Sequence, residues 1–494
     1  MLPERPLEIP EITGLVASYL DKKDLARCVQ VSKRWKHLFL PHRWRVVRVG
    51  SKPSKHFSSR HGKSRYRIGP HPSDVYHHRH LIQDLSLSGD TAGLEKYNYP
   101  ILRKLTVDYQ IGAEDPEREV FLELIEMFPS LVDLDIGRIK LTPSSWSALS
   151  AHPHLRNLSL CHMVIKAMDA SLFWDVCKKL ESLTLTNVVI RGGTISTGVV
   201  FDRLSKLDIS TDDNEGRNTQ DQLDLTLRCP NLKDLRWCDL QGVEVGEHPN
   251  VDTNCIPKGW WPHLQRLHIA QNLRGTEVAS ILEGIGDERG KLTHLMFDGC
   301  FVRRQGSKAL HLHFATLVDL NLAECRFVSS STFRDILCSC PSLEILYAKG
   351  VLARDVVAGG SWACQQLREL KICFLFGSLE MYLQEAVFER LSTLTRLVRL
   401  EMHIPKYQFY EEKGKLEFRL ENGLDHLASL RQLTYLDFDR QPESGAYVPQ
   451  MGKDEVVWML ANWKRLTIIS GTLNRNLRED QRLKDALKLL GVKV

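Results

Sequence analysis

No run of about 18 uninterrupted apolar residues occurs in this 494-residue chain, which argues against a helix that crosses a membrane. The most apolar stretch, 372–379, is short and bounded by Lys371 and Glu380. The opening Met1-Leu2-Pro3-Glu4-Arg5-Pro6 has neither the basic start nor the apolar run of a secretory signal. Twelve cysteines are scattered without a single Cys-x-x-Cys pair. Without a secretory route, the expectation is reduced thiols acting as small buried apolar groups, in the cytoplasm, the nucleus or both. The Asn157-Leu158-Ser159 sequon carries no weight there and falls inside a predicted strand.

Catalytic signatures are equally scarce. The chain has no GxSxG, HExxH or GxGxxG in a suitable setting. Gly62-Lys63-Ser64 looks like the end of a phosphate loop, but Phe57 stands where its leading glycine belongs. Cys338-x-Cys340 has the wrong spacing for zinc and no partner pair. His71, His77, His78 and His80 are more simply read as solvated side chains than as metal ligands. We therefore expect no cofactor, no metal and no catalytic residue.

Charge is concentrated in one place. Segment 48–80 holds eight Lys or Arg against one Asp, so the formal +5 of the whole chain leaves −2 for the rest. Its Lys, Arg, His, Ser and Gly content reads as an exposed basic linker or loop. Only Phe57, Tyr66 and Tyr76 interleave with the charges, so a stacking platform for nucleic acid is not supported.

What the sequence does contain is a repeat. Leu-x-x-Leu-x-apolar returns at Leu102/Leu105/Val107, Leu131/Leu134/Ile136, Leu155/Leu158/Leu160, Leu180/Leu183/Leu185 and Leu204/Leu207/Ile209. It continues at Leu232/Leu235/Trp237, Leu264/Leu267/Ile269, Leu292/Leu295/Phe297, Leu317/Leu320/Leu322 and Leu343/Leu346/Ala348. Leu367/Leu370/Ile372, Leu397/Leu400/Met402 and Leu433/Leu436/Phe438 follow, with looser copies at Ile82/Leu85/Leu87 and Leu466/Ile469. The last two apolar positions lie two apart, so both point to one side of a short strand. One such strand cannot bury that side alone. Stacked in parallel, each returning through an outer helix, the strands share a continuous core.

Most spacings are close to the roughly 20–29 residues of leucine-rich repeats. Segments 171–180 and 331–338 read as return helices with Ser171 and Ser331 as caps, and Pro100, Pro129, Pro153, Pro230, Pro262 and Pro341 precede strands. Asn272, Cys300 and Cys325 stand where such repeats place a side chain that satisfies loop backbone. Cys-Pro-x-Leu-x-x-Leu at Cys229 and Cys340 resembles the cysteine-containing subfamily of these repeats. The predicted fold is an α/β leucine-rich-repeat horseshoe, with parallel strands inside and helices outside, of about 14–15 repeats over 81–494.

The first residues form a different unit. Segment 6–20 reads as a helix, and Asp21, with Asp24 three residues on, reads as the start of a second. Ile9-Pro10-Glu11-Ile12, Val16, Tyr19-Leu20, Asp24-Leu25, Val31-Ser32 and Trp35 resemble the F-box motif in the form found in fungal F-box proteins with repeats. Ile9-Pro10 stands directly before Glu11, one residue shorter than the usual opening. The resemblance assigns a small all-α F-box to 1–47. It implies that Ile9, Pro10, Ile12, Val16, Leu20, Leu25, Val31 and Trp35 meet the Skp-type adaptor of a cullin–RING ubiquitin ligase. A unit of about 40 residues without disulfide or metal buries too little surface to stand alone easily, which also calls for a covering partner or a role as a helical cap on the first repeat.

In a horseshoe the outward residues of the strands line the concave face, the usual recognition surface. Those positions include Asp133, Asp135, Lys206 and Asp208, then Asp234, Met296, Asp319, Ile345, Glu369, Glu401, Tyr435, Asp437 and Asp439. The residues favoured for contact with a target protein are Arg236, Arg266, His268, Asp298, Asn321, Tyr347, Lys349, Lys371 and Arg399, with Tyr347 as the aromatic anchor. The resulting expectation is a substrate-recognition adaptor of an SCF-type ligase, itself not an enzyme. The alternatives are a ligase-independent repeat scaffold, and a protein led to RNA or a membrane surface by its basic segment.

Overall fold

The computed structural model describes residues 9–51, 67–68, 70–88, 97–108, 128–191, 198–211, 219–239, 256–270, 273–285, 292–377, 379–402, 414–438, 450–474 and 476–494. Residues 52–66 and 69 of the basic segment, together with Asn272 and Asp439, lie outside the described residues. The chain divides into two compact units, Met1–Arg217 and Asn218–Val494.

The first unit opens with three helices, α1 (Pro10–Tyr19), α2 (Lys22–Val31) and α3 (Lys33–Trp44). Pro10 sits in the first turn of α1, where its missing N–H costs nothing, so the helix begins there. The Asp21 carboxylate accepts the Asp24 N–H to start α2, and Ser32 accepts the Trp35 N–H to start α3. Ala17, Leu25 and Phe39 are the buried centre, wrapped by Val16, Leu20, Cys28, Val29, Trp35 and Leu38.

Strand β1 (Val46–Ser51) follows at once, paired antiparallel with β2 (Arg67–Ile68) and parallel with β3 (Asp84–Ser88). Helix α4 (Pro72–His78) lies between them. Composition reads 48–80 as a linker or loop, but its described ends are strand and helix. The reason is local: alternation sends Val47 and Val49 into the core while Arg48 points out. Parallel pairing then runs from β3 through β4 (Lys104–Asp108), β5 (Asp133–Gly137), β6 (Asn157–Ile165), β7 (Ser182–Ile190) and β8 (Lys206–Thr211). Helices α5 (Pro143–Ala151) and α6 (Ala167–Cys177) are the returns. Helix α6 starts four residues before Ser171, which is therefore interior to the helix and not its cap.

The second unit begins with α7 (Thr219–Leu227) and β9 (Asp234–Asp239), then β10 (Arg266–Ala270), α8 (Gly275–Glu283), β11 (His294–Phe301), α9 (Arg303–Leu310) and β12 (Asp319–Arg326). It continues through α10 (Ser330–Ser339), β13 (Ile345–Leu352), α11 (Ala353–Val357), β14 (Glu369–Phe376), α12 (Gln384–Ser392) and β15 (Arg399–Met402). Next come β16 (Gly414–Lys415), β17 (Tyr435–Phe438), α13 (Lys453–Asn462), β18 (Ile468–Ser470) and α14 (Leu477–Leu489). Adjacent strands pair in parallel, except that β16 lies antiparallel on β14 and β15 passes directly to β17. Ser329, not Ser331, caps α10, accepting the Thr332 N–H.

In every copy of the repeat motif the later apolar positions sit on one of these strands and the first lies just before it, all of them buried. Within each unit, a leucine-rich-repeat solenoid follows from that. Cys300 and Cys325 donate their thiols to the Ile269 and Phe297 carbonyls of the preceding repeat. Burial raises the thiol pKa of Cys229, Cys325 and Cys340, and brings that of Cys364 to about 12, so these are packing groups and not nucleophiles. No helix among the described residues is long and apolar enough to cross a membrane.

Candidate functional site

Two surfaces stand out, one in each unit. In the first unit the residues expected to contact an adaptor separate into two groups. Leu25 is buried and Val16, Leu20 and Trp35 pack against that core, with the Trp35 and Phe39 rings 5.3 Å apart. These four hold the helices together. Pro10 and Val31 face solvent, Ile9 and Ile12 only partly so.

Leu15 and Tyr19, absent from the expected contact set, are 59% and 83% exposed, and Val31 is 63% exposed. Spacing of four along α1 puts Leu15 and Tyr19 on one helix face. Sequence periodicity could have marked them, because they fall off the stripe formed by Ile12, Val16 and Leu20. The helices are also tied to the first repeat. Lys22 Nζ donates to the Val46 carbonyl at 3.1 Å, and the Trp44 ring stacks on His78 at 4.2 Å. His71 caps α4 through Ser73, so these histidines already have structural roles.

In the second unit the strand register builds a ladder. Arg236, His268, Met296, Asn321, Tyr347, Lys371, Glu401 and Asp437 are lateral neighbours on successive strands. Arg266 and Arg399 lie on the adjoining row with His294, Asp319, Ile345, Glu369 and Tyr435. At about 4.8 Å per strand, Arg236 to Lys371 spans about 24 Å, enough for an extended peptide of several residues. Asp298 falls on a third row, beside Ala270 and Glu324.

Lys349 is not on this face. It is 3% exposed, and its Nζ donates to the Cys325 carbonyl at 2.5 Å. A register shift between Tyr347 and Gly350 breaks the alternation, so both Ala348 and Lys349 turn inward. Desolvation lowers the ammonium's pKa from its ordinary value.

The β13–β17 end of the ladder is internally paired. Tyr347 donates its hydroxyl to Glu369 at 2.9 Å, and Tyr435 donates to Asp437 at 2.8 Å. Glu401 accepts from Arg399 and lies 3.9 Å from Lys371, while the Arg399 guanidinium covers the Tyr435 ring at 4.0 Å. Burial and the bond to Glu369 push Tyr347 up to about 12, so its hydroxyl stays a donor. At the β9–β11 end Arg236 and Arg266 are exposed, and Arg236 Nε donates to the Cys238 sulfur at 3.5 Å. His268 is held below its ordinary pKa, first by desolvation and then by Arg236, with Asp298 opposing. It is a neutral imidazole near pH 7. The face offers hydrogen bonds, cations and an aromatic ring, the chemistry of polypeptide recognition.

Comparison with known proteins adds one firm assignment: residues 10–48 match the F-box-like family. No curated protein matches the chain. Among solved structures, the chain is similar to one in the crystal structure of the mouse RP105/MD-1 complex. That likeness has 11% identity and a TM-score of 0.40, covering 83% of this chain and 62% of the other. The chain thus spans about three fifths of that protein's length, and the likeness carries no argument about function. The F-box-like match, the repeat motif and the parallel strands together give an F-box-like domain followed by a leucine-rich-repeat solenoid, two modules of a protein-interaction kind.

Proposed function

We propose that this chain, an F-box-like domain joined to a leucine-rich-repeat solenoid, is the substrate-recognition subunit of an SCF-type ubiquitin ligase. The observation that carries the reading is the apolar surface left on the three-helix unit. Leu15, Tyr19 and Val31 stand exposed although Leu25, Phe39 and Ala17 already fill the core. Large apolar groups left in water beside a completed core belong to an interface. A Skp-type adaptor would cover them, and the strand face around Arg236, Arg266, His268 and Tyr347 would hold the target protein. The chain then contributes nearness and orientation to ubiquitin transfer by other subunits, which needs no catalytic residue here.

One observation favours a second reading. The Trp44–His78 stack and the Lys22–Val46 hydrogen bond fasten the helices to β1 and α4, as a terminal cap of a ligase-independent scaffold would be fastened. Co-purification of the full chain with a Skp-type adaptor separates the two. A stable complex, lost on Tyr19→Asp, is expected of the ligase subunit. An intact chain that does not bind would leave the scaffold.

A further inference from the structure

A cluster that neither surface above includes lies where β10, β11 and β12 pass into α8, α9 and α10. Phe327 directly follows β12 and is 62% exposed, yet its backbone is left-handed at φ 56°. Arg303, at the start of α9, is also left-handed at φ 42°. Bulky residues rarely adopt this conformation, because the Cβ crowds the following carbonyl. Arg303 and Arg304 moreover open α9 with two cations and no acidic residue, against the sign of the helix dipole. Three local preferences are therefore violated within a few ångströms, where stability alone would select otherwise.

The geometry holds the cluster in place. Phe327 stacks on Phe301 with centroids 5.6 Å apart and planes at 23°. The Arg303 guanidinium lies 5.3 Å from the Phe327 centroid, and Arg326 lies 5.4 Å from that of Phe301. Successive loops are joined by Phe301 N–H to the Leu273 carbonyl at 2.8 Å and Val302 N–H to the Arg326 carbonyl at 3.2 Å. Gly275 makes this closeness feasible, since a Cβ there would stand 2.9 Å from the Arg303 Cβ. Neither Arg303 nor Arg326 forms an ion pair among the described residues.

We propose that this loop edge binds an acidic polypeptide segment carrying an apolar side chain. Carboxylates of the segment meet Arg303, Arg304 and Arg326, and its apolar group packs on the free edge of Phe327. A nucleic acid fits less well. The Phe327 ring is already stacked on Phe301 and covered by Arg303, so it offers no open platform on which a base could stack. The site lies apart from the strand ladder and requires no ligase adaptor.

The test uses the folded full chain and fluorescence anisotropy with three probes. These are a pool of acidic dodecapeptides each with one Leu or Phe, the same pool with Ser in that place, and a single-stranded oligonucleotide. The expected result is binding of the first pool in preference to the others. Phe327→Asn should weaken it at least about tenfold while the thermal midpoint stays level or rises, because Asn accepts a left-handed backbone. Paired Arg303→Glu and Arg326→Glu should abolish it. No binding of the first pool, binding unchanged in Phe327→Asn, or tighter binding of the oligonucleotide would each overturn the proposal.

Discussion

Replacing Tyr19 by Asp separates an interface from a fold, because the residue stands on the surface of a unit whose core lies elsewhere. Its side chain is 83% exposed at the end of α1, so the substitution removes almost no buried area. Surface changes of this kind alter stability by within about 0.5 kcal/mol. Leu25→Asp is the opposite case. Leu25 is buried against Ala17 and Phe39, so the change opens a cavity and places a carboxylate in it, at about 3–5 kcal/mol. That is a large share of the stability of an ordinary domain. If Tyr19 is a covered aromatic anchor, its loss should weaken adaptor binding by about 2 kcal/mol, roughly thirtyfold. Circular dichroism during denaturation, with titration calorimetry against a Skp-type adaptor, reads both quantities. The expected pattern is a stable Tyr19→Asp that binds weakly and an unfolded α1–α3 unit in Leu25→Asp. Tyr19→Asp binding the adaptor as tightly as the parent would refute the placement of the interface.

Trp146, buried in α5 with its ring 5.4 Å from Phe173, should lose about 3–5 kcal/mol on truncation to Ala, measurable as a lower denaturation midpoint for the first unit. Gly471 has φ 96°, and a Cβ there would collide with the Phe438 carbonyl. Gly471→Ala should therefore destabilise the β17–β18 end by more than about 1 kcal/mol in a denaturant titration. His313 is fully buried, bonded through Nε2 to the Leu282 carbonyl, and burial holds it below its ordinary 6.5. The unfolded chain then binds more protons than the folded one. Its contribution is present above 6.5 and lost as pH falls below that value, so the second unit's melting temperature should drop on acidification, less steeply in His313→Gln.

The period of the leucines determined the fold almost alone. A strand that shows the same two apolar positions to one side has one stable solution when it recurs, and each copy became a strand with those positions buried. The F-box resemblance was legible for the same reason, since its motif is mostly the core stripe of two helices: Val16, Leu20 and Leu25. Where the surroundings decided orientation, the sequence was silent. β1 went unrecognised because its Val47 and Val49 sit inside a basic composition, and only pairing with β3 shows that they are covered. Lys349 follows the alternation on paper, but a register shift with β14 turns it inward. Leu25 and Tyr19 are both apolar members of one motif, and helix packing alone makes the first a core residue and the second a surface one. The Phe301–Phe327 pair lies 26 positions apart in sequence and depends on two left-handed residues and the room left by Gly275. Periodicity reports which side of an element is apolar. What that side meets is a property of the neighbouring elements, and it exists only once they have packed.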